Sequence, residues 1–377
     1  PVLLRLLGSA ALGVALSAAF DPLDWWFVAP LALAGLWVVL DGRTVRGGLG
    51  YGWTFGIAFM GSHVWWVYLS AGLAPALVLP VILGAFYALF GAAFALVSRS
   101  RLGDRLLTRV AAFAILWMGG ETFRAMWPYG GFPWGRVAFS QVDVPTVDYA
   151  WLGGASLVSF IVALAGALIG AAVRSEAGII GRPAMALSAL VLWLVVPFAI
   201  PVTSLERTDT ITVGVVQGNV PVRDGSESIT AYTTLQKHAD ETYRLLEQGD
   251  HLDLIVWPED SADWDPRADA RTAEIVGDVA AAAGVPILVG TTDFTPEDGR
   301  LNTSLLIDAD GTPLGGYSKQ RPVPFGEFVP LREWVTRLSD QVGRVPVDMI
   351  AGTEPAALDA PIASLGRDVT LGIAICF

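Results

Sequence analysis

Leu190-Val-Leu-Trp-Leu-Val-Val-Pro-Phe-Ala-Ile-Pro-Val-Thr-Ser-Leu-Glu-Arg-Thr-Asp-Thr-Ile-Thr-Val-Gly-Val-Val-Gln217 is where one kind of chain gives way to another. Its first half closes an uncharged apolar run, whereas Ile211 to Gln217 is a short β-branched stretch of strand type. On the N-terminal side, apolar stretches recur at about 2–20, 25–40, 48–70, 74–98, 107–120, 150–173 and 183–201. A helix crosses a bilayer with roughly 20 such residues, so about seven spans are expected. Stretches 25–40 and 107–120 are short and call for tilt, extension into flanking Trp and Gly, or re-entry. On the C-terminal side the period changes. Ile211 to Gln217 is followed by a helix near Tyr232 to Glu247, a strand Leu252 to Trp257 and a helix Arg271 to Ala283. Strands Pro286 to Gly290, Thr303 to Asp308 and Val369 to Cys376 complete an α/β pattern, which predicts a layered sandwich or doubly wound sheet. The expected division is a helical membrane domain over 1–201 and an α/β domain over 202–377.

Composition supports the same split. The hydrophobic fraction is 53% with 14 tryptophans and a mean hydropathy of +0.54, far from soluble averages. Residues 1–201 carry 11 Arg against 8 acids, net +3, whereas the remainder carries 13 basic and 28 acidic residues, net −15. An acidic second half without a basic stripe excludes nucleic acid as a partner. One cysteine, Cys376, excludes an intrachain disulfide and a zinc–cysteine site. His63, His238 and His251 have no paired ligand spacing, so neither a metal nor a Ser-His-Asp triad is expected.

Orientation follows from arginine placement. The first stretch is too long and too quickly followed by another to be a cleaved leader, and reads as retained. Arg5, Arg43, Arg46, Arg99, Arg101, Arg105, Arg109, Arg174 and Arg182 fall at the start and on alternate loops, which the positive-inside rule makes cytoplasmic. Seven crossings then leave the acidic domain outside the cytoplasm. The loop Glu121 to Tyr149 lies on that outer side, and its Trp127-Pro-Tyr-Gly-Gly-Phe-Pro-Trp134 suits the headgroup boundary. A plain aromatic anchor is an equally good reading of it.

Three residues stand at predicted strand ends, where α/β layers carry function. Glu259 follows Leu254-Ile-Val-Trp257, Lys319 follows Gly315-Gly-Tyr-Ser318, and Cys376 closes Gly372-Ile-Ala-Ile375. Lys319 is one of two lysines against 22 arginines, so a chemical need for a compact ammonium is indicated, whereas Lys237 reads as a surface residue. A cysteine at the end of an apolar strand is ordinarily core. A thiolate nucleophile needs a base and a positive neighbour to lower its pKa, and Glu259 with Lys319 supply both if the strand ends converge.

At these positions the sequence resembles the nitrilase superfamily, with its Glu, Lys and Cys at successive strand ends. Nearly the whole chain resembles the apolipoprotein N-acyltransferase family. The matching stretches are Val215-Val-Gln-Gly-Asn219, Trp257-Pro-Glu259, Tyr317-Ser-Lys-Gln-Arg-Pro-Val-Pro-Phe-Gly-Glu-Phe-Val-Pro330 and Gly372-Ile-Ala-Ile-Cys-Phe377, with Phe20-Asp-Pro22 and Gly131-Phe-Pro-Trp134 in the apolar half. The resemblance implies a membrane helical bundle joined to a nitrilase-like αββα sandwich. It also implies Glu259 as general base, Lys319 as stabiliser of the tetrahedral intermediate and Cys376 as acylated nucleophile. Glu327 and Phe377 take supporting places, Glu327 matching a further essential acid where the residue alone would read as a solvated turn. Phe132 and Trp134 would line a lipid entrance. The implied reaction moves an acyl chain from a phospholipid, through a Cys thioester, to the N-terminal amine of a diacylglyceryl-cysteine lipoprotein. No cofactor is implied. The expected setting is a bacterial inner membrane, multi-pass and monomeric, with the catalytic domain on the periplasmic side.

Family members often carry Tyr after the nucleophile and then Glu, whereas here Phe377 lacks the hydroxyl and is the last residue. The chain looks truncated at its C-terminus, and a sandwich short of strands would expose edges and apolar surface, so residues 1–377 alone are expected to be poorly stable or inactive. Two other classes compete. A membrane-tethered carbon–nitrogen hydrolase would use the same three residues with water as acceptor, but a tether needs one span. A transporter or receptor would explain the spans but not the Glu, Lys and Cys.

Overall fold

The computed structural model describes residues 2–174, 178–202, 209–219, 232–337, 342–343 and 345–376. The chain divides into two compact units, Pro1–Ser204 and Leu205–Phe377. In the first unit every apolar stretch becomes helix: α1 Val2–Ser17, α2 Val28–Leu40, α3 Val45–His63 with the short α4 Val67–Ala71, α5 Leu73–Ser98, α6 Leu106–Arg124, α7 Ala150–Val173 and α8 Gly178–Leu190. Among the described residues, four helical segments are long and apolar enough to cross a membrane: Leu73–Ser98, Leu106–Arg124, Pro145–Val173 and Gly181–Ala199. The apolar helices α1 and α2 are shorter, at 16 and 13 residues.

The 19-residue α3 is less apolar because it is built on glycine. A Cβ on Gly48 would lie 2.3 Å from the Gly91 carbonyl oxygen, and one on Gly52 would lie 2.2 Å from that of Tyr87. The α3 and α5 backbones therefore touch, the small-residue packing that holds helices together where no hydrophobic effect drives them. Aromatic rings fill the rest, with Trp37, Phe55, Phe59, Phe94 and Phe113 fully buried.

The two ends of this unit differ. Gly42 N donates to Ser98 Oγ at 3.2 Å, so the α2–α3 turn and the end of α5 share one end. Buried Asp41 pairs there with Arg109 at 3.1 Å. At the other end Thr146 Oγ1 and Tyr149 Oη donate to the carbonyls of Trp193 and Leu192, at 2.8 and 2.6 Å. The last helical segment thus finishes beside the start of α7.

The loop expected from Glu121 begins later, because α6 runs on to Arg124. Neither charge faces water: Glu121 is 2% and Arg124 1% exposed. Arg124 Nη1 donates to the carbonyl oxygens of Phe132 (2.8 Å) and Trp134 (2.5 Å), and Glu121 Oε1 accepts from Trp117 Nε1 (3.1 Å) and Val137 N (2.8 Å). These side chains tie the following turn to the helix end and satisfy backbone groups that would otherwise be buried unpaired.

The second unit carries a five-stranded sheet in sequence order: β1 Val213–Val215, β2 Leu254–Val256, β3 Ile287–Asp293, β4 Leu301–Ile307 and β5 Pro313–Ser318. The first three strands run parallel, and β4 and β5 add antiparallel. Period-two alternation sends neighbouring residues to opposite layers. Ile255, Ile287, Val289, Leu305 and Ile307 pack against α9 Thr233–Leu246 and α10 Ala270–Ala283. Leu254, Leu288, Leu306 and Tyr317 pack instead on a hairpin of β6 Ala357–Ile362 and β7 Arg367–Gly372, with Ile373 and Ile375. The layers are helix, sheet, sheet. The middle of the sheet is covered on both sides, and β3 is buried along its whole length.

Two sequence expectations change here. Strand β6 was not foreseen, since its Pro361 and alternating Asp359 weaken the apolar signal. The terminal strand ends at Gly372, beyond which the Ile373 N–H still donates to Ala356 O at 3.0 Å before the chain leaves the hairpin. Phe377 lies outside the described residues.

Candidate active site

The three strand-end residues come together, and two more join them. Lys319, one residue past β5, is 2% exposed. Its Nζ lies 2.8 Å from Glu327 Oε1 and 3.2 Å from Glu259 Oε1. From β4, Asn302 Nδ2 donates to the same two oxygens, at 2.6 Å to Glu259 and 3.0 Å to Glu327. Two donors thus each bridge two carboxylates in a closed ring. The Cys376 thiol lies close enough to feel the charges of Glu259, Lys319 and Glu327, that of Glu259 most strongly.

Each member is held by its own backbone. Glu259 leaves β2 through Pro258, and the turn is pinned from below by Ser261. Its Oγ exchanges bonds of 3.0 Å with both the N–H and the C=O of Gly290. A Cβ on Gly290 would sit 2.2 Å from the Pro258 carbonyl oxygen and 2.8 Å from Glu259 Cα, so only glycine lets this turn rest on β3. Lys319 is fixed by its N–H to Asn302 O (2.8 Å) and by its carbonyl, which accepts from Gly352 N (2.9 Å). Glu327 is no solvated turn acid: Oε2 accepts from Val323 N at 2.6 Å, and its carbonyl accepts from Met349 N at 2.8 Å. Cys376 sits at φ +42°, a left-handed conformation uncommon for a side-chain-bearing residue, and its side chain is exposed. Such strained positions cluster at functional sites.

The electrostatics correct one expectation. Burial disfavours the Lys319 ammonium, but the hydrogen bond and charge of Glu327, then those of Glu259, outweigh it, and its pKa lies above the ordinary lysine value. For Cys376, burial raises the thiol pKa, the Glu259 carboxylate raises it further, and the opposing pull of Lys319 does not compensate. The resting thiol is therefore protonated. Lys319 does not generate a standing thiolate because its charge is already shared between two carboxylates. What the arrangement offers is a neutral thiol against a carboxylate base, with an ammonium beside both.

Asn302 was missed by sequence reasoning. The signal available was a polar run, Asn302-Thr303-Ser304, between Leu301 and Leu305 in the strand next to the Lys319 strand. Phe132 and Trp134 belong to the first unit. Phe132 is half-buried, and Trp134 is 41% exposed with its ring centroid 4.4 Å from that of Trp66. Among the described residues no cluster of His, Cys, Asp or Glu could hold a metal ion.

Residues 12–168 match the family model of the apolipoprotein N-acyltransferase N-terminal domain. An apolipoprotein N-acyltransferase of Methylococcus capsulatus is 31% identical over 359 residues, covering 92% of this chain and 69% of that protein. That of Mycolicibacterium smegmatis is 33% identical, covering 98% of this chain and 65% of the relative. The Pseudomonas putida protein is 30% identical over 86% of this chain and 65% of its own length. The chain thus spans about two thirds of the length of these relatives. A solved amidase from Nesterenkonia sp. aligns at 16% identity over 44% of this chain and 55% of its own, with a TM-score of 0.29. The family match runs through the helices and the relatives' identity continues into the unit that carries the Glu, Lys and Cys, so this chain belongs to the apolipoprotein N-acyltransferase family.

Proposed function

We propose that this chain transfers an acyl group from a phospholipid to the N-terminal amine of a diacylglyceryl-cysteine lipoprotein, with Cys376 as the acyl carrier. The observation that carries the reading is the Lys319 ammonium bonded to both Glu259 and Glu327, with the Cys376 thiol near enough to feel all three charges. In the first step Glu259 takes the Sγ proton as sulfur attacks the ester carbonyl, and Lys319 stabilises the oxyanion. Collapse breaks the ester C–O bond. Glu259 returns the proton to the departing oxygen, which leaves as a lysophospholipid and regenerates the carboxylate. In the second step the acceptor amine attacks the thioester, Glu259 takes an amine proton, and collapse returns that proton to sulfur. An amide and a free thiol result, so ping-pong kinetics follow.

Glu327 and Asn302 touch no reacting atom in this scheme. They position Lys319 and Glu259. The domains divide as a helical part over 1–201 and a catalytic part over 202–377. The helical part crosses the membrane about seven times, since each apolar stretch is helical and the two ends differ in charge. Arg5, Arg43, Arg109 and Arg174 mark the cytoplasmic end, and the last segment finishes at the opposite one, which favours a periplasmic catalytic part. Phe132 and Trp134 line the lipid entrance, where aromatic rings are stable at the headgroup boundary.

Intact mass of the protein after incubation with phospholipid tests this. Wild type should gain one acyl mass that hydroxylamine removes, and Cys376→Ala should gain none. A diacylglyceryl-cysteine peptide should discharge the adduct while gaining its mass. No adduct on a folded wild-type protein refutes the reading. An adduct that water clears as fast as the peptide does would instead make the chain a hydrolase.

A further inference from the structure

We propose that the arginine-bearing end of the helical unit binds the phosphate of an anionic phospholipid headgroup, at a site separate from the acyl-transfer chemistry. Two guanidinium groups converge on the C-terminal carbonyls of α2. Arg43 Nε donates to Asp41 O at 3.2 Å, and Arg174 Nη1 donates to Val38 O at 3.2 Å and Asp41 O at 3.5 Å. Capping of this kind engages Nε of Arg43 and Nη1 of Arg174 and leaves further guanidinium nitrogens on each fork. Arg5, on the first turns of α1, lies close enough that it and Arg174 are the strongest charged neighbours of Arg43, ahead of Asp41, and their repulsion adds to burial in lowering the Arg43 pKa.

Among the described residues at this end of α2, the Asp41 carboxylate, 2% exposed, is already paired with Arg109 through Nη1 at 3.1 Å, while Arg43 and Arg174 bond to its backbone carbonyl instead. Arg5, Arg43 and Arg174 are half-buried and remain accessible. A planar guanidinium fork matches phosphate oxygens, and several forks brought together are stabilised when an anion sits between them. The surroundings select a lipid over the free ion. Next to Arg5, α1 exposes Val2 (59%), Leu3 (68%), Leu4 (75%) and Leu7 (59%), and Val173 beside Arg174 is 67% exposed. Cations flanked by exposed aliphatic side chains, at the ends of apolar helices, fit a headgroup above and acyl chains alongside. The inference rests on the helical unit alone and stands whether or not Cys376 carries an acyl group.

The test uses the whole protein in detergent, with native mass spectrometry against phosphatidylglycerol, phosphatidylcholine and inorganic phosphate. Phosphatidylglycerol should remain bound at collision energies that strip phosphatidylcholine. The double substitution Arg43→Gln/Arg174→Gln should weaken its retention by roughly thirtyfold, on about fivefold per arginine near an anionic lipid. Because that pair also caps α2, Arg5→Gln serves as the variant that disturbs no cap among the described residues, with about a fivefold loss expected. Arg136, whose Nη2 donates to Ser156 Oγ at 2.8 Å near the start of α7, lies at the other end, and Arg136→Gln should leave retention unchanged. Equal retention of the two lipids overturns the proposal, as does wild-type retention by Arg5→Gln in a folded protein. Displacement of phosphatidylglycerol by an equal concentration of inorganic phosphate would reassign the site to the free ion and overturn the lipid assignment.

Discussion

Replacing Asn302 with Leu separates chemistry from folding at the proposed site. Asn302 Nδ2 makes two charge-assisted bonds, 2.6 Å to Glu259 and 3.0 Å to Glu327, and each such bond contributes about 1.5–3 kcal/mol. Glu259 is 29% exposed at its side chain, so water recovers part of that loss, and about 2–3 kcal/mol remains. Global stability falls by less, because Asn302 Oδ1 is buried without a partner among the described residues. Removing it relieves a desolvated acceptor worth about 1–3 kcal/mol. The remainder falls on the orientation of Glu259, now held by Lys319 alone while facing Glu327. Each 1.36 kcal/mol is tenfold in rate, so Cys376 acylation should slow by about 30–100-fold while Tm moves by only a few degrees. Single-turnover acylation followed by intact mass, with thermal unfolding of the same sample, measures both quantities. Acylation at the wild-type rate would refute the positioning role. A loss of rate matched by a loss of folded protein would refute the separation.

Two glycines should respond oppositely to alanine. Gly290→Ala drives a Cβ into the Pro258 carbonyl and displaces Glu259, and should reduce acylation by at least about 100-fold, whereas Gly277→Ala, in α10 with its nearest neighbour at 3.9 Å, should stabilise by about 0.5–1 kcal/mol at unchanged rate, both read by the same pair of assays. The raised Cys376 pKa gives a pH prediction: alkylation by iodoacetamide should keep increasing above pH 9, because the thiolate forms only above the ordinary thiol range. Glu259→Gln removes a charge that raises this pKa and should speed alkylation at pH 8 while slowing acyl transfer, and slower alkylation in that variant would show that the thiol is activated in the resting state.

The sequence made the division of the chain and the strand-end positions of Glu259 and Lys319 legible, because both are written in local periodicity. Glu259 lies three residues past β2 and Lys319 one past β5, and because β4 runs antiparallel between β3 and β5, β2 and β5 run in the same direction and end at one edge. Glu327 and Asn302 were not legible from periodicity. Glu327 sits in a Pro-Phe-Gly turn that looks solvated until Lys319 and Val323 N are seen to face it. Asn302 starts a strand whose importance depends on pairing with β5. The thiol pKa was misjudged for the same reason, since the sequence counts one lysine near one cysteine but not how that lysine's bonds are apportioned. The sequence likewise starts a boundary loop at Glu121, because apolar periodicity falters three residues before α6 ends at Arg124.

The apportioning of Lys319 also bears on how the proposed reaction avoids creating charge in a partly buried site. At rest Glu259 and Glu327 are opposed by one ammonium and one neutral thiol, a net charge of −1. Moving the Sγ proton to Glu259 leaves that net charge unchanged, with the negative charge displaced from oxygen to sulfur and then, on attack, to the substrate oxyanion. Neutralising Glu259 simultaneously weakens its hold on Lys319, whose Nζ at 3.2 Å is the longer and weaker of its two carboxylate bonds. The ammonium donor released by that step is the one needed by the oxyanion, while the 2.8 Å bond to Glu327 keeps the lysine in place. Glu327 therefore has to keep its bonds from Lys319 Nζ, Asn302 Nδ2 and Val323 N throughout the cycle. Glu327→Gln would keep the shape but remove the charge that offsets the burial of Lys319. The ammonium would then depend on Glu259 alone and lose its counter-charge whenever Glu259 is protonated, the moment at which the oxyanion needs it.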